Sequence, residues 1–269
     1  MMNKERPTAG TLLRHWRQQR RLSQMALALE AGISQRHLSC LEAGRAMPSR
    51  AMVLHLTEQL RVPLRERNAI LVAAGFAPFF HERSWQALEL SAARQAMERI
   101  LQGHNPHPAL AVDRHWNLIS ANKAVFALLS GLSGSLMQPP VNVLRLSLAP
   151  NGLAPRILNF TEWRAHLLAR LTHEVQTSAD AVLLRLLEEL KTYPIPPQAR
   201  GTRAPPLEEA TIAVPLRLAG AEGPLSFLST TTVFGTAVDV TLAEVTIETF
   251  FPADDMTAIA MARLTETLQ

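Results

Sequence analysis

The sequence predicts two folds in one chain: an all-α N-terminal domain of five short helices, then an α+β domain with an antiparallel sheet. Three observations lead there. At 269 residues the chain has the length of about two domains. Its charge is split: residues 1–80 hold 12 Lys+Arg against 5 Asp+Glu, net +7, whereas residues 81–269 hold 15 against 18, net −3. Its apolar spacing also changes, from helical throughout the first part to a mixture of alternating and helical stretches beyond residue 105. The boundaries read as a first domain at 1–80, a linker helix at 81–104 and a second domain at 105–269.

Composition removes several classes. Hydrophobic residues are 47% and charged residues 19% of the chain, a globular balance and not a disordered one. A single cysteine, Cys40, excludes a disulfide scaffold and a cysteine-rich zinc site. The longest uncharged run, Ala124 to Leu144, is broken by Gly131, Gly134 and Pro139-Pro140, so no spanning helix and no membrane partner are expected. The opening MMNKERPTAG lacks the apolar core of a secretion signal, so the expected location is the cytoplasm.

The N-terminal elements follow from stripes and stops. Thr11–Arg20 sets Leu12, Leu13 and Trp16 on one stripe, with Arg14, Arg17 and Arg20 around it. Ser23 caps the next helix, Gln24–Ala31, with Met25, Leu27, Ala28 and Leu29 read as mostly inward. Gly32 ends it, Ile33 tucks into the turn, and Ser34 caps Gln35–Glu42, where Leu38 and Leu41 face the core. Gln35, Arg36, Ser39 and Cys40 lie away from that core. Ser49–Leu60 is a fourth helix; Pro63 opens a fifth with Ile70, Leu71 and Val72 inside, ending at Gly75. Two helices joined by a short glycine turn, the second with a polar outer face, form a helix-turn-helix.

The string RQQRRLSQMALALEAGISQRHLSCLEAGRAMPSR closely resembles the Cro/C1 (XRE) type of DNA-binding domain, over residues 10–76. The matching elements are Arg17, Leu22-Ser23-Gln24, Leu27-Ala28, Gly32-Ile33-Ser34, Leu41-Glu42, Gly44-Arg45 and Pro48; Met25, Ala26 and His37 depart from the usual pattern. The resemblance implies double-stranded DNA as partner, bound by a homodimer. It implies that Gln24 meets a phosphate, that Ser34, Gln35 and Arg36 stand at the reading end of the recognition helix, and that Arg45 meets the backbone. Arg and Gln at that position suit guanine and adenine edges. His37 reads as a backbone or phosphate neighbour, and Ser39 and Cys40 reach bases or sugar a turn further on; Cys40 itself reads as a small filler in preference to a redox switch. Arg17 and Glu42 are implied to form a structural ion pair between the first and third helices.

The second part starts with a helical stretch, His81–Gln102, carrying Trp85, Leu88, Ala92, Met97, Ile100 and Leu101. It joins the domains, pairs with its copy, or packs on the second domain. Strand patterns at Ala109–Asp113 and Asn117–Ser120 come next, followed by helical runs at 121–129, 162–172 and 180–192. A proline-rich loop covers 193–209; strands follow at Thr211–Leu218, Leu225–Phe234 and Leu242–Phe251, and a helix at Asp254–Leu268. This order matches a PAS-like sensor with helices on one side of its sheet.

FLSTTTVFGTAVDVTLAEVTIETFFPADDMT, with Pro108–Arg114, Asn117, Asn122 and Asn142–Arg145, resembles the MmyB-like ligand-binding domain that follows XRE-type domains. The resemblance spans 105–268, and ARGTRAPPLEEA departs from it. It implies a PAS-like fold and an apolar small molecule such as a fatty acid or similar lipid, with no other cofactor. Trp116, Phe126, Leu129, Leu132, Met137 and Trp163 are candidates to line its cavity. Leu167, Leu171, Leu187, Phe227 and Val233 join them, and the same residues also read as an ordinary packed core. Of Ser229, Thr230, Thr231 and Thr232, two face inward on an alternating strand. Enzyme chemistry finds no motif: Gly131-Leu132-Ser133-Gly134 misses the nucleophile-elbow spacing, and His81-Glu82 and His173-Glu174 lack a second zinc histidine. No metal site is expected. The reading is a transcription regulator that senses a ligand; the alternative keeps the DNA reader and makes the second domain a protein-interaction or antitoxin-like module.

Overall fold

The computed structural model describes residues 7–132, 134–178, 180–199 and 213–266. The chain forms two compact units: residues 1–85 with 236–243, and residues 86–235 with 244–269.

The first unit is built from helices α1 (Ala9–Gln19), α2 (Gln24–Glu30), α3 (Gln35–Glu42), α4 (Arg50–Gln59) and α5 (Leu64–Ala73). Four begin at a hydroxyl cap: the side chains of Thr8, Ser23, Ser34 and Ser49 accept from Thr11, Ala26, His37 and Met52 N–H groups. Leu13, Trp16, Leu27, Leu38, Leu41, Val53, Leu56, Ile70 and Leu71 fill the core. Met25 and Leu29 are exposed, contrary to the inward reading of α2: at 100° per residue, Leu27 and Ala28 take the inner face and their neighbours two positions before and one after turn out. Val72 is likewise exposed beside buried Ile70 and Leu71.

Two glycines are required here. Gly32 turns the chain between α2 and α3 at φ +62°. Gly10 lets α1 lie on the end of α3, because a Cβ there would stand 2.2 Å from the Leu41 carbonyl oxygen.

The helix expected over 81–102 starts only at Ser91. Residues 81–84 are irregular instead, followed by a turn at 85–86 and a 3-10 turn at Leu88–Leu90. Asn68 takes the N–H groups of Phe79 and Phe80 and donates to the Phe80 carbonyl. His81 and Arg83 carbonyls accept from Val240 N–H and Thr241 Oγ1, and Arg83 pairs with Asp239 at 2.8 Å. Residues 236–243 thus pack within the first unit, and Asp239 caps their short helix α11 (Val240–Ala243). That helix occupies the start of the strand expected from Leu242.

The second unit holds a five-stranded antiparallel sheet in the order β2-β1-β5-β4-β3. Its strands are β1 (Ala109–Val112), β2 (Leu118–Ala121), β3 (Leu216–Gly220), β4 (Gly223–Val233) and β5 (Thr246–Pro252). Residues 211–212 of the third expected strand lie outside the described residues, and Pro215 precedes its observed start. Register fixes the inner face: Leu110 is opposite Glu248, Phe227 opposite Pro252, Ser229 opposite Phe250, and Thr231 opposite Glu248.

The helices are α6 (Ser91–Gly103), α7 (Lys123–Leu128), α8 (Val143–Leu148), α9 (Phe160–Ser178), α10 (Ala181–Thr192) and α12 (Asp255–Glu266). Helix α6 is tied to the second unit by buried Asn122, whose amide donates to the Leu101 and His107 carbonyls while its oxygen accepts from Ala109 N–H. Of the apolar residues assigned to the long helix, Met97 and Leu101 are buried, and Leu88 and Ile100 are exposed. Helix α8 has no counterpart among the expected helices; Asn142 caps it and also donates to the His115 carbonyl.

Candidate functional site

Two surfaces carry chemistry, one in each unit. In the first, α3 presents Gln35, Arg36 and His37 to solvent at its N-terminal end, with Ser34 engaged as the cap. Ser39 and Cys40 are half-buried on its flank, and Arg45 is exposed in the following loop. Arg14, Arg21 and Arg50 are exposed as well, so the basic charge of the unit lies at its surface.

Beneath that surface Arg17 and Glu42 form a bidentate pair, Nε–Oε1 at 2.6 Å and Nη2–Oε2 at 2.8 Å. The side chains are 9% and 2% exposed. The third nitrogen of Arg17 donates to the Leu22 carbonyl at 2.8 Å, so the guanidinium ties α1, the α1–α2 turn and α3 together. Burial alone pushes the Glu42 carboxyl up, but hydrogen bonds from Arg17 and Gln24 outweigh it and hold the group below the usual carboxylate range. The Glu42 bond raises Arg17 in turn. Gln24 differs from expectation. Its amide donates to Glu42 Oε2 at 2.8 Å, so one of its two N–H groups points inward to the pair and not to a phosphate.

In the second unit a cavity of about 110 Å³ lies between the inner face of the sheet and helices α7, α8 and α9. Leu110, Leu118, Leu218 and Phe227 line the sheet side; Val125, Leu129, Leu144 and Leu146 line α7 and α8. Helix α9 supplies Trp163, His166, Leu167 and Arg170, spaced at i, i+3, i+4 and i+7 on one face. One end of the cavity is polar. Arg170 donates to Glu248 at 2.6 and 3.2 Å, and its plane stacks over Trp116 at 4.5 Å. Trp116 donates its indole N–H to Glu174 at 2.7 Å and holds a positive φ of 65°, a strained geometry for a bulky residue, with its backbone bonded to the Asp113 carbonyl and the Val143 N–H. Burial, and then Arg170, lower His166 below the ordinary imidazole value. Burial pushes the Glu174 carboxyl up despite its bonds to Trp116 and Arg170.

Five of the expected lining residues reach this cavity: Trp116, Leu129, Trp163, Leu167 and Phe227. Leu171 and Leu187 are buried in the adjoining core, and Met137 packs beside Leu129 in a neighbouring cluster. Phe126 and Val233 are corrections, at 50% and 57% exposure. Phe126 lies a helix step away from the inward Val125 and Leu129, and Val233 ends β4, four residues beyond Ser229, the last of that strand to line the cavity. His166, Arg170, Glu248, Leu110 and Phe250 were not singled out from sequence. The available signals were the 163-166-167-170 spacing and the alternation of Glu248 with Phe250.

Among the described residues no helix is long and apolar enough to cross a membrane, and no group of His, Cys, Asp and Glu is arranged to hold a metal. Comparison with known proteins agrees with the geometry of both units. A helix-turn-helix domain model matches residues 8–70. The model of the MmyB-like transcription regulator ligand binding domain matches residues 93–264. No curated protein matches the chain. With an exposed polar helix on one unit and a lined cavity in the other, the chain belongs to the MmyB-like transcription regulators, an N-terminal helix-turn-helix joined to a ligand-binding domain.

Proposed function

We propose that the protein is a cytoplasmic, homodimeric regulator whose PAS-like second unit encloses an apolar, fatty-acid-like molecule and thereby changes operator binding. The cavity between sheet and α9 is the observation that carries this reading, because its walls are apolar and its polar groups are gathered at one end. Its volume of about 110 Å³ compares with about 150 Å³ for a dry engineered cavity that binds benzene. A short chain fits it directly, and a longer one displaces lining leucines. On the DNA side, Gln35 and Arg36 read base edges, and Ser39, Cys40, His37 and Arg45 support them at sugar and phosphate. A dimer places two such helices on half-sites about 34 Å apart.

The test has two parts. Molecules released on denaturing the purified full chain are identified by mass spectrometry, and fatty acids and alcohols of increasing length are titrated into it. The best binder is then added to an operator-binding assay. Binding that rises with chain length to an optimum, with a shift in operator affinity, supports the reading. Failure of every chain length, with no co-purifying lipid, removes it.

A further inference from the structure

The polar end of the cavity decides what head group an apolar ligand carries. Among the described residues that line it there is one permanent cation, Arg170, and that cation is fully engaged. Glu248 takes two of its N–H groups at 2.6 and 3.2 Å, Glu174 stands at 3.4 Å from Nε, and Trp116 covers its face. Thr231 also donates to Glu248, which fixes that carboxylate on β5. Whether Glu174 is ionised or protonated, the cluster has no positive charge to spare. His166 is no fixed charge either: burial and the adjacent guanidinium lower it below the ordinary imidazole value. What remains for a ligand is neutral hydrogen bonding: the His166 ring and the Ser229 hydroxyl both line the cavity and have no hydrogen-bond partner among the described residues. Ser147, which accepts from Trp163 Nε1 at 3.1 Å, keeps its own hydroxyl proton to donate.

We infer that this cavity selects an apolar chain ending in an uncharged polar group, such as a hydroxyl, ester or amide, and discriminates against a carboxylate. The inference rests on the ligand-sensing reading above and narrows its fatty-acid-like class to chains whose head group is uncharged. A carboxylate seated beside Ser229 and His166 would find no free cation among the described lining residues to meet it. Burying a carboxylate where no cation replaces its lost hydration is worth more than tenfold in affinity.

Matched pairs test it on the full chain: hexanol with hexanoate, octanol with octanoate and decanol with decanoate, each measured by calorimetry at neutral pH. The expected result is a preference for the alcohol of at least about tenfold at the best-binding length. Glu248→Gln leaves Arg170 short of a partner and is expected to raise carboxylate affinity and so narrow the preference for the alcohol. Should that variant lose its fold by circular dichroism, Glu174→Gln, on a less buried side chain, tests the same direction. Equal or tighter binding of the carboxylate by wild type overturns the head-group inference and leaves the sensor reading standing. No binding of either series at any length overturns both.

Discussion

Glu42 shows how one carboxylate holds a reading helix. It is 2% exposed at its side chain and accepts three hydrogen bonds, two from Arg17 and one from Gln24. Removing one partner of such a pair strands the other, at a typical cost of about 3–5 kcal/mol. Glu42→Ala should therefore lower the melting temperature of the first unit in the full chain by several degrees in calorimetry, and a loss under about 0.5 kcal/mol would show a pair worth no more than a surface one. Arg17→Lys should lose much of the same stability, since an ammonium keeps the charge but not the fork that meets both oxygens. The sign of the pH effect follows from the lowered carboxyl. A group held below its unfolded value stabilises the fold above that value and loses the contribution as pH falls through the folded one. Asp180 and Glu189 are lowered as well, so stability should fall on acidification below the ordinary carboxylate range, as followed by circular dichroism.

At the scale of elements, close approach and exposed face are separate requirements. Helix α1 reaches α3 only because residue 10 has no side chain. Gly10→Ala would gain about 1 kcal/mol of helix propensity, but overpacking against the Leu41 carbonyl costs about 1–3 kcal/mol, so the variant should be net destabilised in a denaturant titration. On α3, Arg36→Ala should cost about 1–3 kcal/mol on the preferred operator and relax base preference, measured by competition binding. Arg45→Ala should weaken all sequences alike and reduce the salt slope by about one. The helices of the first unit were legible in sequence because their signals are local: Ser23, Ser34 and Ser49 cap, and Gly32 turns. Spacing was less informative about direction. It grouped Met25 and Leu29 with buried Leu27, and Phe126 with Leu129, because periodicity gives relative faces and not which face the rest of the chain covers. The polar end of the cavity was not legible, since Arg170 and Glu248 meet across 78 positions, and a charged pair so far apart in sequence leaves no local mark.

At the scale of the molecule, sensing requires that ligand binding favour one state of the chain over another. A ligand moves that balance only by its difference in affinity for the two states, and coupling of about 1–3 kcal/mol corresponds to a shift of roughly 5–150-fold in operator affinity. Leu129 lines the cavity, so Leu129→Trp should fill it. The variant is expected to keep its circular dichroism spectrum, to lose binding of the best alcohol, and to leave operator affinity unresponsive to added ligand. A variant that still binds and responds would show that the ligand sits elsewhere.

The excursion of residues 236–243 into the first unit sets how the chain can be divided. The polypeptide passes from one unit to the other at 85–86, at 235–236 and again at 243–244. A fragment cut after residue 85 therefore lacks Asp239, Val240 and Thr241, the groups that receive Arg83 and the His81 and Arg83 carbonyls. Phe79 and Phe80 stay tied to Asn68, but the residues after them should fray, with fast amide exchange from His81 onward. A synthetic peptide spanning 236–243, added in trans, should slow that exchange and raise the melting temperature of the fragment. By the same connectivity, a single protease nick in the ligand-binding unit need not free a native DNA-binding piece: the missing eight residues would leave with the other half.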